Sequence, residues 1–275
     1  MSIAERIPQA DPALKQQLKE TWCAGDYGQV ARVLAASTAQ LLERYPVRPG
    51  ADILDVACGN GQIALAAARA GARATGIDIA DNLIEQGRRR AREESLAVRL
   101  DVGDAESLPY ADNSFDQVYS IIGAMFAPRP EQAAAELLRV CRPGGQIIMV
   151  NWTPDGFIGQ FFKTVARHMP PPDGMPSPLL WGQEPHVRER FGKGVAKLKA
   201  DKQFFEFHFP YPPADVVDFF GTYFGPVQRA LAALGESAGQ ALKADLVALW
   251  EAHNLADDGT TYTRGEALEI VIVPA

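Results

Sequence analysis

The stretch Ile53-Leu54-Asp55-Val56-Ala57-Cys58-Gly59-Asn60-Gly61-Gln62 decides how this chain is read. An apolar run carrying a carboxylate passes into a glycine turn and then into helix-forming sequence over 62–70. Backbone N–H groups approach a ligand closely only where no Cβ intervenes. Gly59 and Gly61 give that clearance at a helix start, where the dipole favours negative charge. Asp55 has the opposite preference, repelling a pyrophosphate and attracting a hydroxyl or ammonium donor. The turn therefore suits a ligand of both signs. The dinucleotide pattern G-x-G-x-x-G needs glycines where the chain has Ala57 and Gln62, and the phosphate-binding G-K-[ST] is replaced by Gly61-Gln62-Ile63. Neither cofactor class fits.

Working outward, Arg73-Ala74-Thr75-Gly76-Ile77-Asp78-Ile79 reads as a second strand ending in a carboxylate, at the spacing of about 20 residues expected for a ribose-binding acid in a βαβ unit. A third strand, Val98–Val102, runs into Gly103-Asp104-Ala105-Glu106-Ser107-Leu108-Pro109-Tyr110. Strands near 115–121 and 145–152 follow, and helices near 62–70, 82–94 and 131–141 separate the five. Strict alternation predicts a parallel sheet, doubly wound, with its strand C-termini along one edge. Three acids at successive strand ends on that edge point to a ligand more strongly than any one alone, since a lone Asp there commonly just starts a turn.

Together these elements resemble the class I S-adenosylmethionine (SAM)-dependent methyltransferases, in the branch of the ubiquinone and menaquinone methylases. The first motif, D-x-G-x-G-x-G, is met by Asp55, Ala57, Gly59 and Gly61, with Ala57 in place of one glycine and expected at negative φ. Gly103–Tyr110 is similar to the adenine-binding stretch, Ser114-Phe115-Asp116-Gln117-Val118 to the fourth strand, and Arg139-Val140-Cys141-Arg142-Pro143-Gly144-Gly145 to the turn into the fifth. The resemblance implies a seven-stranded, mostly parallel Rossmann-like α/β sheet whose last strand is antiparallel. It implies SAM as cofactor and S-adenosylhomocysteine as product, with Asp78 accepting from the ribose hydroxyls, the Asp104 side chain from the adenine amine, and the Ala105 N–H meeting a ring nitrogen. Asn60, Gln62, Ile79, Asn82, Ser120 and Ile121 complete the expected cofactor contacts. It further implies an N-terminal lid over the cofactor, with Trp22 and Tyr27 its candidate contacts.

The organisation expected is a helical lid over 1–45, a SAM-binding core over 46–152, and a C-terminal part over 153–275. The lid reads as two helices around Gly25-Asp26-Tyr27-Gly28, the second over 29–43. The C-terminal part carries a helix over 156–169, a proline-rich loop at 170–178, and strands near 203–209 and 267–273. Helices at 213–223, 226–234 and 238–254 form an insertion ahead of the last strand, expected to shape a substrate pocket.

Methyl transfer from a sulfonium needs mainly alignment and exclusion of water, and a base only where the nucleophile arrives protonated. His168, after the fifth strand, is the candidate base. Met125, Trp152, Phe157, Phe161, Trp181, His208 and Tyr223 are candidate pocket residues, and a pocket lined by such side chains prefers a flat or apolar acceptor. No metal is expected.

The 275 residues carry a net charge of −7, which disfavours nucleic acid and anionic membrane surfaces as partners. Arg88-Arg89-Arg90-Ala91-Arg92 reads as a solvated helix end. Cys23, Cys58 and Cys141 lack disulfide or zinc spacing, and no export signal or bilayer-length apolar run stands out, so a cytoplasmic protein is expected, monomer or homodimer. The reading is a methyltransferase acting on a small molecule by in-line displacement. The alternative is a SAM-binding protein that transfers no methyl group.

Overall fold

The computed structural model describes residues 11–172, 174–192 and 194–275; the first ten residues of the expected lid lie outside them. Three helices open the chain: α1 (Pro12–Cys23), α2 (Tyr27–Val33) and α3 (Ala35–Arg44). Asp11 caps α1 by accepting from the Ala13 N–H, and Asp26 caps α2 by accepting from Gly28. The apolar periodicity of 29–43 predicts one helix, but the backbone breaks at Leu34, which turns its buried side chain toward the sheet's ligand edge.

The sheet then builds as β1 (Asp52–Val56), α4 (Gln62–Arg69), β2 (Arg73–Asp78), α5 (Asp81–Glu93), β3 (Val98–Val102), β4 (Phe115–Ile121), α6 (Pro130–Val140) and β5 (Cys141–Trp152). Beyond it lie α7 (Phe157–His168), α8 (Glu184–Phe191), β6 (Val195–Phe209), α9 (Pro213–Tyr223), α10 (Gly225–Ala233), α11 (Glu236–His253) and β7 (Thr261–Pro274). The seven strands lie in the order β3-β2-β1-β4-β5-β7-β6. β1 to β5 pair in parallel, and β7 runs antiparallel between β5 and β6. The order reverses between β1 and β4, and at such a switch point the crossovers leave a crevice outside the strand C-termini.

Both terminal strands are longer than their apolar runs predict. β6 is one of the sheet's two edge strands, and its first half, Lys197-Leu198-Lys199-Ala200-Asp201-Lys202, carries charges that discourage another chain from pairing there. Central strands are buried on both faces: Ile53, Leu54, Val118, Ile147, Ile148, Val150, Ile270 and Ile272 have no accessible surface. α9, α10 and α11 fold against α7 around Trp250, whose ring meets Phe157 at 4.6 Å and Phe220 at 5.4 Å. Among the described residues no helix is long and apolar enough to cross a membrane.

Candidate functional site

At the end of β1 the chain must leave a fully buried strand and start α4 within five residues. It does so through left-handed backbone at Ala57 (φ 54°), Gly59 (55°) and Gly61 (79°), the last being the N-cap of α4. Ala57 departs from the negative φ expected of it: its Cβ stands in a region costing about 1–2 kcal/mol for an L-residue. The surroundings hold it there. The Cys58 N–H donates to Ile77 O at 3.0 Å, the Gly61 N–H to Cys58 O at 2.9 Å, and the Gly59 N–H to Asp78 Oδ2 at 2.7 Å. Gly123 closes the other side; a Cβ there would lie 2.6 Å from Ala57 O and 2.7 Å from Ala57 Cβ. Gly123→Ala is therefore expected to cost about 1–3 kcal/mol of stability and to displace the turn. A thermal melt with a SAM titration checks it, and an unchanged melting point with unchanged affinity would mean the turn yields freely.

Asp55 and Asp78 flank this turn, 2% and 8% exposed. Asp55 Oδ2 accepts from the Ala64 N–H at 3.1 Å, and Asp78 Oδ1 from the Ala80 N–H at 2.8 Å. Burial pushes the Asp55 carboxyl up to about 7, with the neighbouring Asp78 charge adding to it; burial also raises Asp78. Two desolvated carboxyls beside one turn favour a ligand that brings positive charge or several donors. Asn60 Oδ1, buried at the same turn, has no partner and can accept from such a ligand.

The crevice above the turn encloses about 1150 Å³ of empty space, its solvent-open mouth included. Asp55, Ala57, Gly59, Asn60, Gln62, Asp78, Ile79, Asp104, Ala105 and Ile121 line it, as do Trp22 of α1 and Tyr27 of α2. Gly61, Asn82 and Ser120, expected from the motif among the cofactor contacts, do not line the crevice and hold supporting places instead. Gly61 caps α4, Asn82 Nδ2 donates to Cys23 O at 3.1 Å, and the Ser120 hydroxyl bridges Val56 O and the Ala124 N–H. Asp104 is not bare: Lys15 Nζ lies 2.8 Å from its Oδ2, and the Glu106 N–H donates to its Oδ1. Lys15, Leu18 and Trp22 fall at i, i+3 and i+7 on α1 and present one face to the crevice. Lys15 and Leu18 lie outside the motifs, and only the i, i+3, i+7 spacing with Trp22 marks them in sequence.

A second, smaller cavity of about 380 Å³ adjoins the crevice. Trp22, Tyr27, Leu34, Ile122 and Phe126 border both. Its remaining wall is apolar, including Trp152, Phe161, Phe162, Phe207, Phe220 and Phe224. Of the pocket residues expected from sequence, Trp152 and Phe161 take part. The other five line neither cavity. Met125 is buried in the core, Phe157 packs on Trp250, and Trp181 packs on Phe191 under the Arg190 guanidinium. Tyr223 rests on Phe219, and His208 stacks on Tyr262 at the exposed face of β6. His168 also lies outside both cavities. Its Nε2 meets Asp245 Oδ2 at 2.8 Å, tying the end of α7 to α11, and this pairing gives it a packing place in the structure. Histidines end helices readily for that reason, so position along the chain alone misplaced it.

Comparison with known proteins agrees with this geometry. The family described as "Methyltransferase domain" matches residues 54–149, from β1 into β5. An uncharacterized protein of Mycobacterium tuberculosis is 36% identical over 237 residues, covering 86% of each chain. The ubiquinone/menaquinone biosynthesis C-methyltransferase of Roseobacter denitrificans is 34% identical over 159 residues, 54% of this chain and 63% of that one. Among solved structures, the YcgJ protein from Bacillus subtilis has a TM-score of 0.60 at 19% identity, covering 87% of this chain and 98% of that one, and so shares the fold. The switch point, its glycine turn and its paired acids all fall within the span that the methyltransferase-domain family matches. The chain belongs to the class I SAM-dependent methyltransferase superfamily.

Proposed function

We propose that this protein transfers the methyl group of SAM to a small, apolar or aromatic molecule. The observation that carries the proposal is the aromatic cavity sharing a wall with the acid-lined crevice. When bound, SAM supplies a methyl carbon on a sulfonium, already activated for in-line displacement. The crevice fits it on the chain's own chemistry: left-handed Gly59 and Gly61 clear space for the ligand, Asp55 and Asp78 balance its positive groups, and the unpartnered Asn60 oxygen accepts a donor. The adenine end goes to Asp104 and Ala105, the ribose to Asp78. Residues of α1 and α2 act as the lid that keeps water from the reacting atoms.

The acceptor sits among Phe161, Phe162, Phe220 and Phe224. Among the described residues no histidine, lysine or carboxylate lines that cavity, so the rate derives from proximity and orientation. Among the described residues that line the cavity there is no lysine or arginine, so a multiply phosphorylated acceptor gains no counter-charge there. Methylation of the acceptor is tested by S-adenosylhomocysteine release across a panel of aromatic acceptors and their phosphorylated analogues. Turnover with the former alone supports the reading; release independent of any acceptor contradicts it. Phe162→Arg, which puts a guanidinium into this wall, is expected to abolish acceptor turnover while changing SAM affinity less than about threefold. Paired kinetics and calorimetry check that, and an equal loss of both would assign Phe162 to the crevice instead.

A further inference from the structure

Tyr27 stands where the two cavities join. It borders both, and its ring lies over the glycine turn, where a Cβ added at Gly59 would come 3.8 Å from Tyr27 Cδ1. Trp22 at 6.0 Å and Phe224 at 6.2 Å hold the ring on two sides. Its hydroxyl makes no hydrogen bond among the described residues, and it is the sole side-chain oxygen along the aromatic cavity; the indole N–H groups of Trp22 and Trp152 are the other polar side-chain groups there. Burial, with the Asp78 charge behind it, raises this phenol to about 12, so it stays protonated across the physiological range and can donate but not abstract a proton.

A free hydroxyl at that junction, in a wall otherwise of hydrocarbon, aromatic faces and two indole N–H groups, calls for an acceptor with one electron-rich atom on an apolar body. We propose that the Tyr27 hydroxyl positions the ionised oxygen or sulfur of an acidic aromatic acceptor, a phenol, enol or thiol, against the methyl group. The proposal rests on the methyl-transfer reading above. In the reaction, the acceptor atom supplies the electron pair of the new bond to carbon while the methyl–sulfur bond breaks and its pair stays on sulfur. The acceptor's proton leaves to water before it enters, since among the described residues lining the aromatic cavity none is a base. Tyr27 is a positioning residue: its hydrogen bond to the acceptor anion both orients that atom and offsets its loss of hydration.

The test uses 4-nitrophenol, whose anion absorbs distinctly, and nitrobenzene, which has the same ring and no ionisable group. Both are titrated into the full chain saturated with S-adenosylhomocysteine, above neutral pH, in the native protein and in Tyr27→Phe, which keeps the ring and its packing. The proposal expects the variant to bind 4-nitrophenolate roughly tenfold more weakly, and to bind nitrobenzene within about twofold of the native protein. It also expects the apparent pKa of bound 4-nitrophenol to be higher in the variant than in the native protein. Equal weakening of both probes would make Tyr27 a packing residue and overturn the proposal. Unchanged binding of 4-nitrophenolate, or failure of the native protein to bind it, would overturn it as well. S-adenosylhomocysteine affinity is measured first and separately, and its absence would overturn the methyl-transfer reading and this proposal with it.

Discussion

Asp78→Ala is expected to weaken SAM binding by roughly 10- to 150-fold, the equivalent of about 1.5–3 kcal/mol for hydrogen bonds to a charged group. Two consequences combine in that loss. The ribose loses its acceptor, and two backbone donors lose theirs: the Gly59 N–H, which donates to Asp78 Oδ2 at 2.7 Å, and the Ala80 N–H, which donates to Oδ1 at 2.8 Å. Asp78→Asn is the intermediate case, because its amide oxygen still accepts from one of these two N–H groups while the charge and the second acceptor are gone. The expected order of affinity is therefore native, then Asn, then Ala. Calorimetric titration of the three proteins checks it, and an alanine variant that binds as the native protein does would remove Asp78 from the site.

Asp55 gives the second large effect, and it depends on pH. In the unfolded chain an aspartate ionises near 3.9, whereas burial holds the folded carboxyl up to about 7. Between those values the folded protein keeps a proton that the unfolded chain has released. The stability of the free protein therefore falls as pH rises from about 4 to 7, by an amount on the order of 4 kcal/mol. Asp55→Asn does not titrate, so it is expected to melt higher than the native protein above pH 7, with the difference shrinking toward pH 4. Ligand binding reverses the preference. A ligand bringing an ammonium and hydroxyl donors to the paired acids favours the ionised form, so SAM affinity is expected to rise about tenfold from pH 5.5 to 7.5 in the native protein and to stay flat in Asp55→Asn. Melting curves and titrations across that range check both arms. A pH-independent affinity in the native protein would show that Asp55 does not face the ligand's charge.

Much of the crevice was legible because its determinants are local in sequence. A strand, an acid and a glycine turn occupy ten consecutive residues, 53–62, and the acids of β2 and β3 mark the same sheet edge. What was illegible depends on what lies across a gap. Ala57 takes positive φ because Gly123, distant in sequence, packs against it and the Asp78 carboxylate holds the next glycine. The first half of β6 hides behind its lysines, since an edge strand keeps solvent on one face. Among the aromatics, periodicity finds the inward face of a helix but not what that face meets. Phe157 and Phe161 share α7, yet the first packs on Trp250 and the second borders the aromatic cavity. Phe220 and Phe224, from α9 and the residue after it, complete that wall across a sequence distance no pattern spans.

The fold and the acid-flanked turn together make one claim central: the crevice binds SAM. Calorimetric titration of the purified protein with SAM, S-adenosylhomocysteine and NAD⁺ tests it most directly. The structure predicts saturable binding of both adenosyl ligands with one site per chain and no heat from NAD⁺, whose pyrophosphate would face Asp55 and Asp78. Binding of NAD⁺ with silence toward both adenosyl ligands would contradict the account.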